Sequence, residues 1–240
     1  MTIHDGEHKV LIVSNLAEFA AGTVNVGRGA ALELYAVPEG SVETSTLRLT
    51  VNMSADSKVN IFVGVIGSEN ACYHFTVNLN EPGANLQING MALLAGNDVC
   101  TISTNVFHNS PRCTSNQLVK FLVDDKGHGT FNGLIKFAYD AFGTEAFQNN
   151  RNLLSGMRAR MESQPQLEIY CDDVKCSHGA ATGQLDEQAL FYMRSRGIPV
   201  DEAKSMLMNA FVSDIIDKIE NEEIRERIRR LTEKRLLSNV

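Results

Sequence analysis

No tryptophan occurs in the chain, so the broad indole surface on which sugar-binding grooves commonly stack their ligands is missing. There is no excess of basic charge either. Against 29 acidic side chains stand 22 basic ones, a formal charge of -7, which gives no electrostatic footprint for nucleic acid or an anionic membrane. The five cysteines, Cys72, Cys100, Cys113, Cys171 and Cys176, are odd in number and irregularly spaced. The first residues also lack the basic, apolar and small-residue succession of a secretory signal. A disulfide framework is therefore not expected, and free thiols in a reducing compartment, the cytoplasm, are. The longest apolar runs, such as residues 61–66, fall far short of the roughly 20 residues needed to cross a bilayer. GxSxG, Walker-type, GxGxxG and HExxH motifs are all absent, which removes the common hydrolase, nucleotide-binding and zinc-protease templates.

What is present is a patterned globular sequence. Hydrophobic residues make up 43% of 240 positions, enough for one large core or two modest ones. Apolar residues alternate in short segments: Leu47, Leu49, Val51 and Met53; Val59, Ile61, Val63 and Val65; Tyr73, Phe75, Val77 and Leu79. The series continues through Leu86 and Ile88, then Cys100, Ile102, Thr104 and Val106, then Val119, Phe121 and Val123, then Ile135 and Phe137. Period-two alternation places each group on one face of a strand. Turn formers stand between them: Pro38-Glu39-Gly40, Pro82-Gly83, Asn89-Gly90, Gly96-Asn97-Asp98, Gly127-His128-Gly129 and Asn132-Gly133. The chain reads as all-β to about residue 180. Even spacing alone leaves a sandwich, a barrel and a stacked β-helix open, and no strict repeat favours the last.

Beyond Gly183 the pattern becomes helical. Asp186 can cap a helix running through Leu190 and Met193 to Arg196, with Gly197 as its stop. After Pro199, the residues Ala203, Leu207, Ala210, Phe211, Ile215 and Ile219 form an apolar stripe. Residues 221–237 add Ile224, Ile228 and Leu231, with Glu223 to Arg227 and Glu226 to Arg230 as i,i+4 pairs. The division expected is a β core at 1–182 and a small helical domain at 183–240. The apolar stripes serve either to pack on the β core or to dock a partner.

Residues 167–184, LEIYCDDVKCSHGAATGQ, concentrate the candidate chemistry where the composition changes. If a strand continues that far, Leu167, Ile169 and Cys171 share a face, and Cys171 reads as a core thiol. Cys176 and His178 lie among polar and small residues. Two positions apart on an extended backbone, they face the same way and offer half of a tetrahedral ligand set. No second CxxC or HxxxH completes it within the chain. A closed zinc site is thus not expected, whereas a site finished by another chain suits thiolate and imidazole, for zinc or for iron–sulfur chemistry. Taken on spacing alone, a chance pair in a loop stays open. Asp172 and Asp173 are poorly placed as an acid/base pair, because neighbours on a strand point to opposite faces; a solvated turn is the plainer reading. His108 follows Val106-Phe107 at a strand end, and His128 sits between glycines in a turn, where solvation is expected.

The run at 167–180, followed by GQLDEQALFYMRSRGI at 183–198, resembles the signature of the SufB/SufD family of iron–sulfur cluster assembly proteins. DKGHGTFNG at 125–133 and FQNNRNLL at 147–154 are similar to that family's FNG turn and QxNxNLLLS segment. The likeness runs from about His108 to Phe211, and the region before it fits by pattern only. Gly179 stands where SufB members carry a glutamate, and residues 148–154 lack the cysteine of SufB members, so the SufD branch is the nearer one.

The resemblance implies a right-handed parallel β-helix core followed by a C-terminal α-helical domain. It implies a non-enzymatic scaffold that pairs with a SufB-like subunit through the β-helix and docks a SufC-like ABC ATPase on helices within residues 186–219. A transient iron–sulfur cluster, shared with the partner and not held stably by this chain alone, would be ligated by His178, the metal-binding residue, with Cys176 beside it. ATP-driven dimerisation of the ATPase would twist the scaffold pair and expose these ligands. Family members usually open on a sizeable helical region; here MTIHDGEHKVLIV leads almost at once into β pattern, so the chain reads as a natural short form or an excised core. Two other readings stand beside this one. The first is a secreted-type β-helix enzyme acting on polysaccharide through Asp172, Asp173 and Lys175; the second is a structural homodimer that ligates no cluster.

Overall fold

Apolar side chains at every second position give each strand one oily row, and in this chain the rows all turn into a common lumen. The computed structural model describes residues 1–14, 21–37 and 42–238. The first strands are β1 (Thr2–Ile3), β2 (His8–Val13), β3 (Ala21–Val26), β4 (Ala31–Ala36), β5 (Val42–Met53), β6 (Lys58–Ile66) and β7 (Ser68–Leu79). They are followed by β8 (Asn85–Leu94), β9 (Val99–His108), β10 (Thr114–Val123), β11 (His128–Phe137), β12 (Thr144–Leu154), β13 (Arg160–Ile169) and β14 (Val174–Gln184). Odd-numbered strands form one seven-stranded sheet and even-numbered strands the other, each in chain order. All neighbours are parallel. The chain therefore climbs as a parallel β-solenoid, alternating between two sheets, and the sandwich and barrel are excluded.

Each strand lies in register with the strand one turn earlier, so Ile61 stands over Leu34 and under Ile88. The inward rows of the sequence reading are the lumen: Tyr73, Phe75, Phe121, Phe131 and Phe137 are among its largest fully buried side chains. No strict repeat marks the sequence because the turn length drifts. Stacked side chains are 26 residues apart at Asn52 and Asn78, 27 at Asn25 and Asn52, 29 at Asn85 and Thr114, and 30 at Glu145 and Lys175.

Two turn expectations and part of a third fail for one physical reason. Asn89-Gly90 lies within β8 and Asn132-Gly133 within β11; of Gly127-His128-Gly129, Gly127 closes the turn before β11 while His128 and Gly129 lie in the strand. The strand glycines occupy lumen positions where a neighbour has taken the room: Val63 presses on Gly90, Phe121 and Met161 on Gly129, and the Gln148 amide on Gly133. Gly96 and Gly83 do take positive φ in turns, as expected. Pro38-Glu39-Gly40 lies outside the described residues.

Three helices follow: α1 (Glu187–Ser195), α2 (Val200–Ile216) and α3 (Glu222–Ser238). Asp186 caps α1 by accepting from the backbone N–H groups of Gln188 and Ala189, and Gly197 ends it at φ +88°. The buried face of α2 is Ala203, Met208, Val212, Ile215 and Ile216. Ala210, expected in the stripe, is exposed. Apolar residues lie on more than one side of this helix, so the sheet it meets selects the face. In α3, Glu226 pairs with Arg229, three residues on, and Arg229 also reaches Asp217 at 3.0 Å.

Helices α2 and α3 fold back along the outer face of the even-numbered sheet. Val212, Ile215, Ile224 and Ile228 pack with Tyr35, Phe62, Met91 and Leu122 in a second apolar core. Lys120, buried on the outer face of β10, fastens α2 there. Its ammonium donates to Asp214 Oδ1 at 2.5 Å and to the Phe211 carbonyl at 2.7 Å, and it lies 4.7 Å from the centre of the Phe211 ring. Arg235 of α3 bonds to Asp98 in the turn before β9. No helix among the described residues is long and apolar enough to cross a membrane.

His108, expected only as a strand-end residue, is fully buried, stacked on Phe137 with ring centres 5.1 Å apart and 2.8 Å from Ser115 Oγ. Burial pushes its pKa from 6.5 down to about 4. As pH falls below 6.5 the unfolded chain takes up a proton that the native chain refuses until about pH 4. Stability held by the neutral imidazole is thus complete above pH 6.5 and lost between 6.5 and 4, by about 2 kcal/mol at pH 5. His74, lowered by partial burial and then by Arg48, acts in the same sense. Urea unfolding at pH 7.5 and pH 5 should show this loss in the native protein and a clearly smaller one in His108→Gln; equal losses would remove His108 as its origin.

Candidate functional site

Among the described residues nothing is stacked above the last turn of the solenoid. β13 is hydrogen-bonded only to β11 and β14 only to β12, so both sheets end there in a free edge. Helices α2 and α3 do not cap this end, because Lys120 and the second apolar core hold them along β6, β8 and β10. The register makes the inward row of β14 Val174, Cys176, His178, Ala180 and Thr182, over Thr144, Ala146, Gln148, Asn150 and Asn152 of β12. The corresponding row of β13 is Ser163, Pro165, Leu167 and Ile169.

Cys176 and His178 thus face the same way, as two inward positions on one strand. Cys176 is half-buried against a small core that includes Ile135, Phe137 and Ala146, and this partial burial pushes its thiol pKa up. His178 is exposed although it faces inward, because the end above it is open. Among the described residues no group of three or more His, Cys, Asp or Glu is placed to hold a metal ion. The Cys176–His178 pair is half of a ligand set within this chain.

The remaining sequence candidates separate from this pair. Cys171 is not a core thiol: β13 stops at Ile169, and Cys171 sits half-buried in the connection that follows. Asp172 and Asp173 are exposed in the bend before β14. Lys175 is engaged by Glu145 at 2.8 Å, so the trio invoked for polysaccharide chemistry does not converge. His128 opens β11 and meets Glu162 at 3.2 Å instead of standing free in a turn.

Two features of the end were not singled out from the sequence. One is an amide network under the last turn. Asn150 donates to the Val119 carbonyl at 3.1 Å and accepts from Asn152 at 2.7 Å and Ser163 at 2.8 Å, while Asn152 also donates to Thr182 at 3.1 Å. These bonds tie both terminal strands to the turn below. The signal was available: in QNNRN, Gln148, Asn150 and Asn152 share one parity in a strand whose other lumen positions are buried. The second feature is an aromatic rim. Exposed Tyr139 and Tyr170 stand 5.5 Å apart, Lys136 lies 5.2 Å from the Tyr170 ring, and Phe142 and Ile169 are exposed nearby in sequence. Apolar and aromatic surface beside an unpaired strand edge is the composition of an interface.

Fold and site together define a class: a parallel β-solenoid with an uncapped last turn bearing a thiol and an imidazole, and helices laid back along one sheet. Residues 8–211 match the family model described as SUF system FeS cluster assembly, SufBD core domain. The chain belongs to the SufBD family. It is 41% identical over 156 residues to the iron–sulfur cluster assembly protein SufD of Escherichia coli, covering 65% of this chain and 37% of that protein. A SufBD family protein of Synechocystis is 33% identical over 164 residues, 68% of this chain and 36% of the relative. Protein ABCI7, chloroplastic, of Arabidopsis thaliana is 30% identical over 208 residues, 86% of this chain and 44% of the relative. The chain thus spans well under half the length of these relatives. The family match also reaches back to residue 8, a hundred residues before the motifs that carry the resemblance.

Burial ranks the thiols. In native protein, iodoacetamide should label Cys72, Cys171 and Cys176 and spare Cys100 and Cys113, which are fully buried. Because its pKa is raised, Cys176 should continue to gain rate at pH values where an ordinary thiol has levelled off. Peptide mass spectrometry across pH 7 to 10 checks both points, and native labelling of Cys100 at the rate of Cys176 would contradict the closed lumen.

Proposed function

We propose that this chain is a SufD-like scaffold subunit of the SUF machinery. It pairs through the open end of its solenoid with a SufB-like subunit, and nascent iron–sulfur clusters are built where the two meet. The single observation that carries this reading is the uncapped last turn, with His178 exposed on its inward row and Cys176 beside it. Free strand edges offer rows of backbone N–H and C=O groups that a partner strand can pair, and the aromatic rim adds apolar area around them. His178 supplies an imidazole to the cluster, with Cys176 as its neighbour. The other ligands come from the partner, since the described residues gather no third donor beside the pair. The cluster is cargo, passed on and not retained.

The SufC-like ABC ATPase docks on the C-terminal helices, within residues 186–219. Exposed Phe191 and Tyr192 on α1 support this, because only Leu190 of that helix is buried and the two rings have no core to join. The chain itself hydrolyses nothing; it converts the partner's nucleotide-driven motion into opening and closing of the interface. The reduced thiols fit a cytoplasmic setting. The same open edges are also available to a second copy, so the isolated chain has a homodimer open to it as well as the pairing with a SufB-like subunit.

Co-expression with SufB-like and SufC-like partners followed by size-exclusion chromatography should give a stable ternary complex, and a chain that elutes alone would sink the scaffold reading. In the reconstituted complex His178→Ala should lower cluster assembly at least tenfold without dispersing the subunits. Cys171→Ala should have a much smaller effect, through packing alone. Undiminished assembly by His178→Ala would remove the ligand role and leave the scaffold role standing.

A further inference from the structure

We infer that the lumen beneath the last turn holds an ordered-water site formed by Gln117, Gln148 and Thr104, with Gln148 one strand below His178. Over most of its length the lumen is apolar. Near the open end it changes character. Gln117 of β10 pairs in register with Gln148 of β12, and Gln148 with His178 of β14, so three polar side chains form one inward column. In the opposite sheet the corresponding column is Thr104, Gly133 and Pro165.

Gln117, Gln148 and Thr104 are all 0% exposed, and both amide atoms of each glutamine and the threonine hydroxyl have no protein hydrogen-bond partner among the described residues. Stacked amides in a parallel register are able to bond one another directly. On the outside of the same solenoid Asn52 donates to Asn25 and Asn78 to Asn52, each at 2.8 Å. The two lumen glutamines do not. Gln148 instead turns its amide across the lumen onto Gly133, where any side chain would collide with it. Glycine at 133 thus makes room for a polar group that protein atoms then leave unsatisfied.

A dry arrangement of five such atoms is strongly disfavoured, since each has given up bulk water without replacement. Buried water makes about three hydrogen bonds to groups of this kind, and two amides with a hydroxyl supply both donors and acceptors for it. The site continues toward the open end, where the next inward residue of the column is His178. This last step rests on the scaffold reading above: when a partner covers the end, the imidazole leaves bulk solvent, and the water held by Gln148 becomes its hydrogen-bonding floor. Gln148 is then a positioning residue for His178.

A crystal structure of the chain at high resolution should show ordered water within hydrogen-bond distance of the Gln148 amide and of Gln117 or Thr104. A direct Gln117–Gln148 amide bond with no water between would overturn the site. Thermal unfolding gives an independent sign. Gln148→Met should lower the midpoint by a few degrees, because it strands Gln117 and Thr104, and adding Gln117→Met should recover part of the loss. If the amides were dry, each single change would raise the midpoint instead. In the reconstituted complex Gln148→Met should reduce assembled cluster severalfold and alter its visible circular dichroism while the subunits stay bound. Unaltered assembly and spectrum would remove the positioning role. Failure of the wild-type complex to form would count against the scaffold reading, and the water site would still be decided by the map and the melting.

Discussion

Parallel, in-register stacking is the constraint from which the rest of the structure follows. Once consecutive turns share a register, every inward side chain lies between one residue a turn below and one a turn above, and its size and polarity must suit both. Aliphatic columns satisfy this by repetition, as in Leu34, Ile61 and Ile88. Other rows satisfy it by complementarity, with glycine yielding to a bulky neighbour, as Gly90 does to Val63. Most polar side chains that enter the lumen among the described residues find a partner, as Ser45 and Tyr73 do at 2.6 Å, though Thr104 does not. The glutamine column below His178 departs from that rule, and it does so at the turn nearest the open end.

A solenoid built this way has no intrinsic stop. The last turn presents unpaired strand edges and a half-covered core whatever its sequence, so what the chain does next decides what that end is for. Here the chain turns away. Helices α2 and α3 run back along the even-numbered sheet, fixed by Lys120 to α2 and by an apolar seam against Tyr35, Phe62 and Met91. A buried ammonium is tolerated only with acceptors at hand, and Lys120 finds both of its acceptors on α2, so helix and sheet are held in one relative position. The price of that placement is an edge that the described residues leave exposed.

The strand rows were legible in the sequence because burial on one face imposes period two, and each inward group from Leu47–Met53 to Ile135 and Phe137 lies in the lumen. The choice of solenoid over sandwich was not, since register between distant turns leaves no periodic mark when their lengths drift. Gly90, Gly129 and Gly133 misled for a related reason: a glycine that makes a turn and one that makes room look alike in one dimension. The phase of α2 depended on the sheet it met, which alternation within the helix does not encode. Cys176 and His178 were placed on one face by spacing alone. That the face is open, and that Gln148 lies buried beneath it, required the third dimension.

The half-complete ligand pair follows from the same geometry. Within a closed turn, inward residues are sealed by the turn above, and a thiol or imidazole there is a core residue, as Cys100 and His108 are. Only on the last turn does an inward side chain face both the ordered interior and the outside. A donor so placed is oriented by the ladder beneath it and open above, and for it to be complete would require ligands on a side where none of the described residues stands. On the scaffold reading, then, two donors are what a terminal turn can contribute. On the same reading, joining two such ends would convert an unsealed lumen into a closed chamber that opens when the ends part.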